Sequence, residues 1–158
     1  MIVLIDTDVL IDVALDRRPF AGPAGQLLDA LQERRADAYV AWHSLSNFYY
    51  MVAPKKGSPG AKDFIGDLLR FVEVSPTGTR DVLYAIGLAM ADFEDALQCA
   101  AAVSCDADVI ATRNVRDYRS SPVPARKPFS RHLRNETEPG CLTFRLSAEL
   151  DPFFGQRS

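Results

Sequence analysis

The opening run constrains this chain more than any other stretch. Ile2-Val3-Leu4-Ile5 is an unbroken β-branched and aliphatic segment that stops at Asp6, and a run without polar alternation is what a strand buried on both faces looks like. Such strands belong to parallel sheets covered by helices on each side, so crossover helices are expected between them. Ala24, Leu27, Leu28 and Leu31 recur at helix spacing behind Pro19, and Asp37–Trp42 reads as a second strand. Ser44 is the expected cap of the next helix, with Leu45, Phe48, Tyr49 and Val52 on one face and Pro54 with Lys55-Lys56-Gly57 as its stop. Ser58-Pro59 opens a further helix toward Leu69, and Phe71–Val74 is a third strand.

Thr79-Arg80-Asp81 starts a helix through Leu88 whose inner face carries Val82, Leu83, Ile86 and Ala89. An alanine-rich helix over Asp92–Ser104 leads into a fourth strand, Asp108–Thr112, and Asn114–Tyr118 is a turn or short helix. The expected fold class is α/β, three-layered and Rossmann-like, with a mostly parallel sheet of four to five strands. A loop at Asn135–Gly140 and an edge strand at Cys141–Leu146 complete the reading.

The chain has 158 residues, 47% hydrophobic and 25% charged, the balance of one globular domain with a substantial core. Its longest apolar runs are too short to cross a bilayer, and no basic-then-apolar leader opens it. Cys99, Cys105 and Cys141 are odd in number and lack CxxC spacing, which argues against a disulfide framework or a zinc site and for a reducing cytoplasm. The net charge of −3 does not mark a nucleic-acid binder. Positive charge is nevertheless gathered in one stretch, where Arg113, Arg116, Arg119, Arg126, Lys127, Arg131 and Arg134 face only Asp117. That stretch suits either a phosphate backbone or a solvated face.

Chemistry is expected beyond the carboxyl ends of the strands, where open α/β sheets bind ligands. Asp6-Thr7-Asp8 ends the first strand and Thr112-Arg113-Asn114 the fourth, while Asp92, Asp95 and Asp117 lie within reach. Carboxylates gathered in one crevice repel each other unless a cation neutralises them. Oxygen donors select a hard ion, Mg2+ or Mn2+, and His43 and His132 lack metal-site spacing. Such an ion lowers the pKa of bound water and offsets charge on a phosphate. Each acid also has a structural reading: Asp92 with Asp95 as an N-cap and its N3 acid, Asp8 as the cap of a helix starting at Val9.

Three segments together are recognisable. Ile5-Asp6-Thr7-Asp8-Val9-Leu10, Asp92-Phe93-Glu94-Asp95-Ala96-Leu97-Gln98 and Ala111-Thr112-Arg113-Asn114-Val115-Arg116-Asp117-Tyr118 resemble the motifs of PIN-domain proteins in order and spacing. The similarity runs from Met1 to about Phe129, which implies a PIN domain over 1–134 and a C-terminal extension over 135–158. The resemblance implies a Mg2+- or Mn2+-dependent ribonuclease, often the toxin of a VapBC-type toxin and antitoxin pair. RNA and an antitoxin protein are the partners so implied; a second copy of the chain is a further candidate partner, and the short apolar runs speak against a membrane. The family's acids carry over onto Asp6, Asp95 and Asp117 as metal ligands, with Thr112 and Asn114 in support; Asp92 is a further supporting candidate from its place beside the crevice, and the basic stretch offers Arg113, Arg116 and Arg126 as the expected contacts to RNA phosphates.

The resemblance departs at one position. Many family members carry a glutamate in the helix after the second strand, where this chain has Asn47, as in a subgroup of the family. An amide can hydrogen-bond a metal-bound water or lend a neutral oxygen ligand, which keeps Asn47 among the expected catalytic-site residues, but it supplies neither charge nor a base. Two alternatives follow: a PIN module that binds RNA or an antitoxin without hydrolysis, and a haloacid-dehalogenase-like phosphatase, whose strand-end pattern Asp6-Thr7-Asp8-Val9 also satisfies. The second requires a downstream lysine that neither Lys62 nor Lys127 is placed to supply. A dinucleotide-binding fold lacks its GxGxxG after the first strand.

Overall fold

A computed structural model describes residues 1–33 and 35–128. Five parallel strands form one sheet in the order β3-β2-β1-β4-β5, with β1 (Ile2–Ile5) at the centre, β2 (Asp37–Val40) and β3 (Glu73–Val74) on one side, and β4 (Val109–Ala111) and β5 (Ala125–Arg126) on the other. Val3, Leu4 and Ile5 are fully buried, as an unbroken apolar run requires between two helical layers. Chain order reverses between β1 and β4, whose last residues pair as Ile5 with Ala111. The crevice of such a sheet therefore opens above Asp6 and Thr112. The sixth residue is tied down at once, because the Asp6 amide donates to the Ala111 carbonyl at 3.0 Å.

Among the described residues five helices cover the sheet: α1 (Thr7–Ala14), α2 (Ala21–Gln32), α3 (Trp42–Leu68), α4 (Thr79–Gly87) and α5 (Phe93–Ser104). One core cluster joins Val3 and Ile5 to Leu10, Leu28, Phe48 and Val52, and the opposite face of the sheet packs Leu4 and Ile110 on Cys99, Ala102 and Tyr118. Cys99 and Cys105 are free and buried, the place of small core side chains.

Several local expectations are corrected. α1 begins at Thr7 with Asp6 at its N-cap position, so Asp8 lies within the first turn and caps nothing. Ser44 lies inside α3 and is fully buried; the N-cap position is Ala41, which has no capping side chain. The expected stop at Pro54 and Lys55-Lys56-Gly57 is met at its last residue: the helix passes Pro54 and breaks at Gly57, where φ is 80° and ψ 153°, a region open only to glycine, and the second helical segment of α3 follows from Ser58-Pro59. The apolar face of α4 is turned outward. Leu83 and Ile86 are each 63% exposed, and Val82 and Ala89 are exposed as well. α4 packs through Ala85 onto Ala96 and Ala100 of α5, and periodicity reports an apolar stripe without reporting what covers it. The fifth described strand, at Ala125–Arg126, lies in the basic stretch and escaped the apolar-run criterion because it is only two residues long. The segments 135–140 and 141–146 lie outside the described residues.

Candidate active site

Asp6 sits at the bottom of the crevice, 7% exposed. Its Oδ2 accepts from the Thr112 hydroxyl at 2.6 Å and its Oδ1 from the Gln98 amide at 3.2 Å. Thr112 is itself buried at the end of β4, and its Oγ1 accepts from the Asn114 backbone N–H at 3.0 Å, which turns the chain away from the sheet. Burial pushes the Asp6 carboxyl up to about 6; the Thr112 bond opposes the rise, and the charges of Asp8 and Asp95 add to it.

Asp95 comes from the first turn of α5. Asp92 is the N-cap of that helix, its Oδ1 accepting from the amides of Glu94 at 2.7 Å and Asp95 at 3.4 Å. The capping reading of Asp92 therefore holds. The Asp95 carboxyl is raised by burial first, lowered by the Tyr118 hydroxyl, and raised again by Asp92, Asp117 and Glu94. Asp117 is exposed, on a turn closed by its own N–H to the Asn114 carbonyl at 2.9 Å. Asp95 thus acts on Asp6, and Asp117 on Asp95. They stand around the crevice, and among the described residues no three His, Cys, Asp or Glu side chains converge on one point.

A divalent cation fits this set in donor chemistry and charge: the donors are all oxygens, and the two more buried carboxyls are raised in the way a cation relieves. The Tyr118 hydroxyl adds a buried oxygen without a partner at hydrogen-bonding geometry, in the field of both Asp6 and Asp95.

The remaining sequence-derived site residues divide. Asn47 reaches the crevice rim, where its Nδ2 donates to Glu94 Oε1 at 2.7 Å. Asn114 donates through Nδ2 to Asp8 Oδ2 at 2.7 Å. Arg113 is engaged within the fold: its guanidinium holds Asp8 at 2.9 Å and Asp12 at 3.0 Å, and lies 4.9 Å from the centre of the Phe20 ring. Arg116 and Arg126 are exposed and form no ion pair among the described residues, although Arg126 donates to its neighbour's carbonyl, that of Ala125. Of the three basic residues expected on RNA, Arg113 is thus the one already committed.

Two polar residues at the crevice were not singled out from sequence. Gln98 is fully buried, and its Nε2 lies at 3.2 Å from both Asp6 Oδ1 and Thr7 Oγ1 and 2.7 Å from Ser44 Oγ, joining β1, α1, α3 and α5. An amide on an otherwise alanine-rich helix, three residues past Asp95 and hence on its face, was the available signal. Glu94, the second, receives the Asn47 amide and the Thr7 hydroxyl at 3.4 Å on one oxygen. It was hidden beside Asp95 in the same acidic first turn.

The fold and crevice define an α/β domain of the Rossmann-like, acid-lined kind. The family model described as a PIN domain matches residues 2–116, and the chain belongs to that family. No curated protein sequence matches. Among solved structures, the chain is similar to VapBC2 from Rickettsia felis bound to a promoter DNA fragment, at 15% identity and a TM-score of 0.64, covering 80% of this chain and 98% of that one. VapBC-1 from nontypeable Haemophilus influenzae gives 16% identity and 0.62 over 82% and 100% of the two chains. VapC20 of Mycobacterium tuberculosis, a Sarcin-Ricin loop cleaving toxin, gives 14% and 0.56 over 75% and 92%. At these identities the structural likeness carries the fold.

Proposed function

We propose that this chain is a Mg2+- or Mn2+-dependent endoribonuclease and the toxin of a toxin and antitoxin pair. The observation that carries the reading is the buried Asp6 carboxylate at the switch point of a PIN-domain sheet, electrostatically joined to Asp95 and through it to Asp117. Asp6, Asp95 and Asp117 would hold the ion, which supplies an activated water and offsets charge developing on the phosphate. Thr112 and Gln98 fix the Asp6 carboxylate, and Asp92 caps the helix that carries Asp95. Arg116 and Arg126 are exposed where RNA phosphates would approach the rim of β4 and β5. A cytoplasmic setting suits the buried free cysteines, and no described helix is long and apolar enough to cross a membrane.

The partner proposed is an antitoxin protein, as the VapBC and FitAB assemblies among the similar structures suggest. The outward face of α4 offers apolar surface for it: Val82 lines an open cavity of about 290 Å³ with Trp42, His43 and Leu97. Membership of the PIN family removes the dehalogenase-like alternative, and Asp8, the acid that chemistry needs, is held by Arg113 and Asn114. The reading as a binding module without hydrolysis draws on both Asp6 oxygens already accepting hydrogen bonds. Asp6→Asn separates the two. RNA cleavage with Mn2+ is expected in the wild type and lost in the variant while circular dichroism and gel filtration stay unchanged. Wild-type cleavage in metal-stripped buffer with a chelator would refute the metal reading, and RNA binding without cleavage at any Mn2+ concentration would establish the module.

A further inference from the structure

The carboxylate that Asn47 holds is Glu94, which lies in the second motif but is not among the three acids carried over as metal ligands. Its Oε1 accepts from Asn47 Nδ2 at 2.7 Å and from Thr7 Oγ1 at 3.4 Å, and its Oε2 accepts no hydrogen bond among the described residues. Thr7 Oγ1 is in turn 3.2 Å from Gln98 Nε2, which is 3.2 Å from Asp6 Oδ1. A continuous polar path thus runs from Glu94 to the buried carboxylate. On the other side, Glu94 adjoins Asp95 in the same helical turn, where the Asp92 cap fixes both backbone amides.

We propose that Glu94, held by Asn47 and Thr7, is a fourth acid of the metal site, and that Asn47 is the residue that positions it. This rests on the metal-dependent reading above. A carboxylate on α5 supplies the negative charge that an asparagine on α3 cannot. The asparagine is complementary to it: the Nδ2 donor holds one glutamate oxygen and leaves the other without a hydrogen bond among the described residues, the arrangement by which an outer polar group orients a metal ligand. The buried Tyr118 hydroxyl, 3% exposed and without a partner beside Asp6 and Asp95, is a second and independent feature. A water of hydration on an ion in the crevice would satisfy it.

The test is Mn2+ titration calorimetry on the full chain, with thermal melts in the metal-free and metal-saturated states. Glu94→Gln is expected to weaken Mn2+ binding roughly tenfold or more and to leave the metal-free melting temperature equal or higher, since a like charge beside Asp95 is removed. Asn47→Ala is expected to weaken binding by a smaller factor, on the order of threefold, through misorientation alone. Asn47→Glu with Glu94 retained places two carboxylates in contact and should lower the metal-free melting temperature. The exchange N47E/E94Q restores one carboxylate and one amide in swapped positions, and should bind Mn2+ more tightly than Glu94→Gln alone. Wild-type affinity in Glu94→Gln, or no recovery in the exchange, overturns the assignment of Glu94 while the metal site stands. A wild type that binds no Mn2+ overturns the metal reading and this inference with it. Should Glu94→Gln fail to fold, Asn47→Ala decides: a folded variant with unchanged affinity refutes the positioning role.

Discussion

Arg113→Ala is expected to be among the most damaging single substitutions in the domain, although the residue lies in a stretch that looks like solvated basic surface. Its guanidinium spans two acids one turn apart on α1, Asp8 at 2.9 Å and Asp12 at 3.0 Å, while stacking 4.9 Å from the Phe20 ring centre. The Asp12 side chain is only 2% exposed. Removing one partner of a buried ion pair costs about 3–5 kcal/mol, because the other is left charged and unsolvated. Here Asp12 keeps Arg17 at 3.9 Å and has the option of protonating, and Asp8 is exposed enough to regain water. The expected loss is therefore about 2–4 kcal/mol in urea denaturation, or roughly 5–12 °C in melting temperature for a domain of this size. The pH dependence gives the sharper test. Burial raises the Asp12 carboxyl above its ordinary value against the pull of Arg113, and without the arginine it rises further. An acid whose folded pKa is raised destabilises the fold while ionised, so the deficit is largest at neutral to mildly alkaline pH. It shrinks as the pH falls through the raised value toward the ordinary carboxylate range near about 4. Arg113→Lys keeps the charge but not the fork and should lose an intermediate amount. A loss below about 0.5 kcal/mol, the size of an ordinary surface change, or a deficit independent of pH, would refute the clamp.

Other outcomes can be checked with the same methods. Asp29, half-buried on α2 with Oδ2 unpartnered, is pushed up to about 6 by burial and by Glu33. Its ionised form therefore opposes folding above about pH 6, and Asp29→Ala should gain about 1 kcal/mol at pH 7.5 and lose most of that advantage by pH 4.5, a gain absent at pH 7.5 being the refuting result. Gly57→Ala should cost about 1–3 kcal/mol from backbone strain alone, because the nearest atom to the added Cβ, Pro59 Cδ, is at an ordinary 3.8 Å; a neutral outcome in urea melts would show that the kink relaxes. If Arg116 and Arg126 contact RNA, each alanine variant should reduce the slope of log binding constant against log salt by about 0.7, the single-strand value per phosphate, and unchanged slopes return both residues to the solvated face.

Much of the sheet was legible because its strands announce themselves in different ways. β1 is an unbroken apolar run, and a run of that kind has few alternatives once the chain is too short of apolar residues to cross a membrane. Polar ends on the first and fourth strands, at Asp6 and Thr112, marked a crevice should the two be neighbours; β1 and β4 do pair, and the two side chains meet at 2.6 Å. β5 was not legible. Two residues, Ala125 and Arg126, carry no pattern, and their pairing with Ile110 and Ala111 is a product of the sheet already in place. The stop expected at Pro54 and Lys55-Lys56-Gly57 was legible to within three residues: the proline is tolerated, the break falls at Gly57, and both helical segments pack into one core through Phe48 and Val52 before it and Ala61 and Leu68 after it.

The crevice shows where single positions cease to be informative. Asp6 and Asp95 could be picked out because each has a local oddity, a carboxylate closing an apolar strand and an acid at the third position of a capped helix. Arg113 could not be separated from its basic neighbours, since what distinguishes it from Arg116 is Asp8 and Asp12, a hundred residues away in sequence and one helical turn apart on α1. Asn47 and Glu94 pose the same problem in reverse. Read alone, Asn47 is a missing charge, and Glu94 is a helix-dipole acid with nothing to mark it against Asp95. Read together at 2.7 Å, they are a donor and a carboxylate whose positions can be exchanged without changing the charge of the crevice. A charge requirement set by a shared cation acts on the sum over the site and not on any one position. An acid absent from one element is therefore informative only after every carboxylate within reach of the same crevice has been counted, and that count exists only in the folded chain.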